Sequence, residues 1–338
     1  MPHAEDPHRS DVIATPSPKG SRLAIVCNPR SGRVQKRLHQ VRTIGRELAG
    51  SLYREANDPG EIAAAVSGLP LSPEETLCIV GGDGTVQAVL TALHAQRPER
   101  SWPVLSVAPG GSTNMTARDL GGAGSLIKTL RRLERGHDPR KPTGTLVRRP
   151  VLCVDRPNAD PVCGMFFGLG SISTGVQFFQ ENLRGHAYAG EHTSWLSVGR
   201  VLLSLALDRA GQPSKAHPTT SAVDGRPPTR HECIACLATT LDRLLFNSRP
   251  YWGEEEGPIH FTMVEGEAHG IWRNLLRFAR GKPGRQLTPR RGYLSHNASL
   301  VKLEFDGSFV VDGELFEVSA ADGPLRITAP YAADWLVV

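Results

Sequence analysis

Asp83 stands among glycines, in Gly81-Gly82-Asp83-Gly84-Thr85, an uncommon setting for a carboxylate. The apolar run Thr76-Leu-Cys-Ile-Val80 before it reads as a short buried strand. After it, Val86-Gln-Ala-Val-Leu-Thr-Ala-Leu93 has apolar residues at 86, 89, 90 and 93, the spacing of a helix face. A glycine-rich turn from strand to helix lets backbone approach a ligand and offers N–H groups to phosphate. A carboxylate in such a site is costly unless it holds Mg²⁺ or takes a proton from an attacking hydroxyl. The competing reading is a plain glycine turn with a helix-capping Asp.

Two more turns of this kind flank it in the chain. Leu23-Ala-Ile-Val-Cys27 runs into Asn28-Pro29-Arg30-Ser31-Gly32, with a helical pattern from Arg33. Val104-Leu-Ser-Val-Ala108 runs into Pro109-Gly110-Gly111-Ser112-Thr113-Asn114, followed by Met115 to Leu120. Three strand–turn–helix units predict a parallel, Rossmann-like α/β domain, with all three turns at the carboxyl edge of its sheet. There, Asn114 with Ser112 or Thr113 can donate to nucleotide oxygens, and Asn28 can bond a neighbouring loop or the adenosine. Asp312 and Glu314 flank Gly313 between strand-like Ser308–Val311 and Leu315–Val318. They read as a hairpin turn that presents two acids to a cleft, or else as a type I′ Asp-Gly hairpin with exposed acids.

These four motifs, in this order, resemble the catalytic domain of the diacylglycerol kinase and sphingosine kinase family of lipid kinases, from about Arg22 to the end of the chain. That family pairs an N-P-x-S-G loop, a G-G-D-G-T loop and a P-x-G-T-G-N loop with a D-G-E turn. The resemblance implies an ATP- and Mg²⁺-dependent kinase that phosphorylates a lipid hydroxyl, diacylglycerol or a related lipid. It implies catalytic roles for Asp83, Asp312 and Glu314, with Asp83 and Asp312 as metal ligands and the general base open between those two. Nucleotide contacts are implied for Asn28, Ser31 and Gly32, for Gly81, Gly82, Gly84 and Thr85, and for Gly111, Ser112, Thr113 and Asn114. Thr113 stands where the family has Gly, which narrows the space beside the nucleotide. In Gly168–Gly175, Ser173 or Thr174 stands where the family's second domain has an Asp near the lipid head, which weakens the case for a cationic sphingoid base. The alternatives are a lipid-binding protein of this fold with impaired turnover, and another phosphotransferase of the NAD kinase type.

The whole chain bounds these readings. Its 338 residues, 39% hydrophobic and 22% charged, suit two globular domains. A net charge of +5 is too small for a nucleic-acid binder and suits anionic lipid surfaces or phosphate substrates. We expect a disordered tail over 1–21, an ATP-binding α/β domain over 22–143, a β-sandwich lipid domain with helical insertions over 144–325, and a C-terminal segment, 326–338, that returns to the first domain. A helix continues after Leu120 through Leu126, Ile127, Leu130 and Leu133, and insertions are expected over Ser194–Arg209 and Gly270–Arg280. No apolar run reaches transmembrane length, and the N-terminus has no secretory pattern, so a cytoplasmic, peripherally membrane-associated enzyme is expected. Trp272, Leu275, Leu276 and Phe278, among basic residues, are the candidate membrane face, and a homodimer is compatible with the sequence. All six cysteines are expected to be buried thiols in a reducing compartment. Cys233 and Cys236, three apart on one strand, should point to opposite faces.

Overall fold

The computed structural model describes residues 12–13, 22–96, 102–122, 124–136, 144–173, 216–268 and 270–338. The helix expected over Ser194–Arg209, together with Thr174 and Gly175, lies outside them. The first part of the chain begins with β1 (Val12–Ile13), β2 (Leu23–Cys27), α1 (Gly32–Gln35), α2 (Leu38–Ala49) and β3 (Tyr53–Glu55). It continues with α3 (Pro59–Ser67), β4 (Thr76–Gly81), α4 (Asp83–Gln96), β5 (Val104–Pro109), α5 (Met115–Asp119) and α6 (Leu126–Gly136). Strands β3, β2, β4 and β5 lie side by side and parallel.

Both faces of this sheet are covered, and for that reason its strands read as unbroken apolar runs. Ala24, Val26, Leu77 and Ile79 pack against α3 and α4 on one face. Leu23, Ile25, Cys78 and Val80 pack against α2 and α6 on the other. The helix expected to run through Leu120 is in fact two helices. At Gly121, with φ +90°, Gly122 N–H donates to Ala117 O (2.8 Å) and Gly121 N–H to Arg118 O (3.1 Å). This is a Schellman stop, and the glycine pair imposes it within the apolar periodicity. Val12–Ile13, inside the expected tail, form a two-residue strand against a strand of the second part.

The second part is antiparallel. It comprises β6 (Thr145–Arg156), β7 (Ala159–Gly164), β8 (Phe166–Gly170), β9 (His217–Val223), β10 (Thr229–Thr239) and β11 (Ile259–Glu265). After α7 (Ile271–Ala279) come β12 (Tyr293–Ala298), β13 (Leu300–Glu304), β14 (Gly307–Val311), β15 (Glu314–Val318) and β16 (Leu325–Val337). Phe167, Phe261, Phe305 and Phe309 fill its core, as expected of a β-sandwich. The run Cys163–Phe167 is broken at Met165 between β7 and β8.

Strand β16 joins the two parts. It pairs antiparallel with β13 and β6, and parallel with β5 through Trp335 and Leu105. A buried ion cluster makes a second joint. Arg149 of β6, 6% exposed, donates through Nε to Asp119 Oδ2 (2.9 Å) at the end of α5. Its Nη2 donates to Asp242 Oδ2 (2.6 Å), in the loop after β10. Removing the cation would leave the Asp119 carboxylate, whose side chain is 0% exposed, without a counter-charge beside the part-exposed Asp242. We therefore expect Arg149→Ala to cost about 3–5 kcal/mol in urea unfolding. A loss below about 1 kcal/mol, the scale of an exposed ion pair, would show that the joint is not dry.

Candidate active site

The carboxyl ends of β2, β4 and β5 deliver the three glycine-rich loops to one edge, and backbone hydrogen bonds stitch the loops together. Asn28 N–H donates to Val80 O (2.9 Å), Arg33 N–H to Gly110 O (2.8 Å), and Gly110 N–H to Gly81 O (2.7 Å). Glycine is required at the crossing of the second and third loops. A Cβ on Gly111 would lie 2.5 Å from Gly82 Cα, and one on Gly82 would lie 3.0 Å from Gly111 Cα. Gly32 differs, since a Cβ there meets nothing within 4 Å. Asn28 bonds the neighbouring loop, its Nδ2 donating to Thr85 Oγ1 (3.2 Å) while its Oδ1 accepts from Arg30 N–H (2.9 Å).

Asn114 takes the left-handed backbone of the third loop, φ 49°, a conformation asparagine tolerates. Thr113 therefore needs no positive φ, and the departure from Gly there imposes no backbone strain. The amide of Asn114 is turned onto its own loop. Its Oδ1 accepts from Gly111 N–H (2.8 Å) and its Nδ2 donates to Gly111 O (2.7 Å). Asn114 thus shapes the loop, whereas Ser112 is exposed and Thr113 half-exposed at its tip.

Asp83 opens α4 and reaches across to α5. Its Oδ2 accepts from Met115 N–H (3.0 Å) and its Oδ1 from Thr116 N–H (3.1 Å). The carboxylate thus caps the helix that follows the third loop, so the capping and catalytic readings of Asp83 are not exclusive. Burial raises its pKa, against the pull of those backbone donors.

The acidic hairpin comes to the same place. Asp312 and Gly313, at φ 47° and 91°, form the two-residue turn between β14 and β15, where Val311 faces Glu314. Asp312 is 5% exposed, so the exposed-hairpin reading does not hold. Its N–H donates to Phe166 O (3.0 Å), and its Oδ2 accepts from Met165 N–H (2.8 Å). Its Oδ1 is buried without a hydrogen-bond partner among the described residues. Burial, and then the charge of Asp83, hold the Asp312 carboxyl well above the usual carboxylate range. Glu314 lies against the second loop, since a Cβ on Gly84 would fall 2.5 Å from its Oε1. Three acids from two parts of the chain therefore meet at the loop edge.

Two cations there were not singled out from sequence. Arg33 follows the first loop and Arg118 lies in α5. Burial and then the nearby Arg33 lower the Arg118 pKa, while Asp83 raises it, so the Arg118 guanidinium lies within electrostatic reach of both Arg33 and Asp83. Two cations close to the glycine loops in sequence suit a polyphosphate. The signal available in the sequence was position alone, one residue past Gly32 and four past Asn114.

Other expectations change. Ser173 is buried and its hydroxyl donates to Gly170 O (2.9 Å), so it is committed to the backbone. Cys153 and Cys163 are joined as a disulfide, so only Cys27, Cys78, Cys233 and Cys236 are thiols. Cys233 and Cys236 share a face, because a bulge between Cys233 and Ala235 adds a residue to β10. Both lie in the same core.

Residues 22–145 match the diacylglycerol kinase catalytic domain. A crystal structure of a candidate diacylglycerol kinase from Bacillus anthracis str. Sterne superposes with a TM-score of 0.58, at 16% identity, covering 95% of this chain and 98% of that one. A crystal structure of a diacylglycerol kinase from the same organism gives 0.52 at 14% identity, covering 93% and 96%. At these identities the two structures speak for the fold. No curated protein matches the sequence. All three converging loops lie within residues 22–145, the stretch that matches the diacylglycerol kinase catalytic domain.

Proposed function

We propose that the protein is an ATP-dependent lipid kinase that transfers the γ-phosphate to a lipid hydroxyl, with diacylglycerol or a related lipid as acceptor. The observation that carries this reading is the orphaned Oδ1 of Asp312, buried beside Asp83. Asp83 has each of its oxygens on a backbone donor, so it is the fixed acid. Asp312, with a free oxygen and a raised proton affinity, is the base. It takes the proton of the acceptor hydroxyl as that oxygen bonds to the γ-phosphorus and ADP leaves.

Backbone N–H groups of the loops, Ser112 and Thr113 orient the phosphates, and Arg33 and Arg118 offset their charge. The space beside Gly32 lets the donor approach the backbone. The carboxylates of Asp83 and Asp312 are hard oxygen donors that fit Mg²⁺ and would hold it there, where it would supply charge screening of the phosphates. Incubation with γ-labelled ATP, Mg²⁺ and a panel of lipids tests this. We expect label in the lipid phase with a neutral diacyl lipid, and no transfer to any lipid would overturn the reading.

The acceptor sits in a bilayer, and we place the membrane face on α7 and the loop beside it. No described helix is long and apolar enough to cross a membrane. Leu276 and Phe246 are the two large apolar side chains exposed among the described residues, at 67% and 62%. Their segments adjoin, since Arg249 N–H donates to Ala279 O (2.7 Å) at the end of α7. Exposed Arg277, Arg280, Lys282 and Arg285 lie in α7 and just after it. Phe278, expected on the membrane side, instead packs edge-on to Trp252 at 5.9 Å. The side chains of Trp272 and Leu275 lie outside the described ones. We expect sedimentation with anionic liposomes that weakens with salt, at about 1 kcal/mol per basic residue. A Leu276→Ser, Phe246→Ser variant should lose the salt-resistant part. Full retention of liposome binding by that variant would place the contact elsewhere.

A further inference from the structure

One cluster of chemically capable side chains takes no part in phosphoryl transfer. Cys153 of β6 faces Cys163 of β7 in register, with Cα atoms 4.2 Å apart. They are 1% and 0% exposed. His94, near the end of α4, lies over them, and one ring nitrogen and both Sγ atoms fall within 4.8 Å of one another. His94 Nδ1 is buried and has no hydrogen-bond partner among the described residues.

The arrangement is enforced rather than incidental. One turn before His94, Thr91 Oγ1 accepts from Cys163 N–H (3.0 Å) and donates to Cys163 O (3.2 Å), pinning α4 to β7. The ring of Tyr331 backs the imidazole at 5.5 Å. A buried imidazole nitrogen with nothing to bond is unfavourable, and two sulfurs beside it are the donors that usually join imidazole around a metal. Two thiolates and a neutral imidazole carry a charge of −2, which a divalent cation cancels, so the filled site suits a dry core.

We propose that reduced Cys153 and Cys163, with a ring nitrogen of His94, form a three-ligand site for a soft or borderline d¹⁰ cation such as Zn²⁺, and that this site alternates with the disulfide. Binding replaces two thiol protons with the metal and releases them. Exchange with a disulfide oxidant, which takes up the two electrons and two protons and leaves as two thiols, closes the Cys153–Cys163 bond; from the filled site the metal is released and the two protons come from water. A dithiol reductant reverses this through a mixed disulfide and is itself oxidised to a disulfide. The location gives the site reach. Cys163 is two residues before Met165, whose N–H holds Asp312, and His94 shares α4 with Asp83, about 17 Å along the helix.

The test uses the full chain and Zn²⁺ as probe, in equilibrium dialysis against a competing chelator, with Co²⁺ absorption to report thiolate ligation. Reduced protein should take up about one equivalent, as three protein ligands and an open position allow, and protein oxidised with diamide should take up none. His94→Ala, which keeps both thiols, should bind at least about tenfold more weakly. A Cys233→Ser, Cys236→Ser variant should bind as wild type. Equal uptake by oxidised and reduced protein, no uptake by reduced protein, or uptake lost only in the Cys233, Cys236 variant would overturn the proposal. The comparison of oxidised with reduced wild type needs no variant to fold.

Discussion

Asp312→Asn is expected to abolish most turnover and, at neutral pH, to make the protein more stable. The first effect follows from the proposed role of Asp312 as base, whose loss costs about 10²–10⁴-fold in rate. The second follows from linkage. Burial and the charge of Asp83 raise the folded-state pKa of Asp312 above its unfolded value. Between those two values the folded chain holds a proton that the unfolded chain has released, so stability falls as pH rises through that window. Asparagine keeps an acceptor for Met165 N–H and tolerates φ 47°, and it carries no charge. The gain in Tm should therefore be present at neutral pH and vanish below the ordinary carboxylate range. Turnover of the wild type should fall as pH drops through the raised folded value, because a base must be ionised to act. Thermal melts from acid to neutral pH, alongside the labelled-ATP assay, read both effects. A variant that is inactive and also less stable at neutral pH would show a structural rather than a catalytic role.

Asp83→Asn is expected to lower turnover by about two orders of magnitude or more, with a smaller change in stability. The change in stability is a balance of two terms. Asp83 accepts from Met115 and Thr116 N–H with separate oxygens, and asparagine offers one oxygen and turns an amide donor toward the other N–H. Losing a cap of this kind costs about 0.5–2 kcal/mol. Relief of the buried charge acts in the opposite direction, since burial raises the Asp83 pKa. The third loop is anchored through α5, so the nucleotide KM should rise together with the fall in kcat. Unchanged kcat with a raised KM would reduce Asp83 to a positioning residue for that loop.

The joint between the two parts shows what could not be read along the chain. The return expected of residues 326–338 to the first domain names no partner strand, because pairing to β5, β6 and β13 is a property of partners distant in sequence. Arg149, Asp119 and Asp242 are unremarkable charges until β6, α5 and the loop after β10 meet. The bulge that turns Cys236 to the face of Cys233 is likewise invisible, since a strict two-residue alternation predicts the reverse.

The sequence by itself determined the parallel strands, the three glycine loops at one edge and the Asp-Gly hairpin, and each for a local reason. Strands buried on both faces must be apolar throughout, and turns with close backbone contact or positive φ must be glycine or asparagine. Tertiary structure decided which acids face one another. Asp83 and Asp312 stand far apart in sequence, and only the return of the second part against α4 buries the hairpin beside the loop. It decided their chemistry too, because the raised proton affinity of Asp312 comes from its burial and from the charge of Asp83, and neither is local. It also set Cys153 opposite Cys163 beneath His94, where a scan for short metal motifs finds no pattern, since ligands brought from two strands and a helix leave no fixed spacing in the chain.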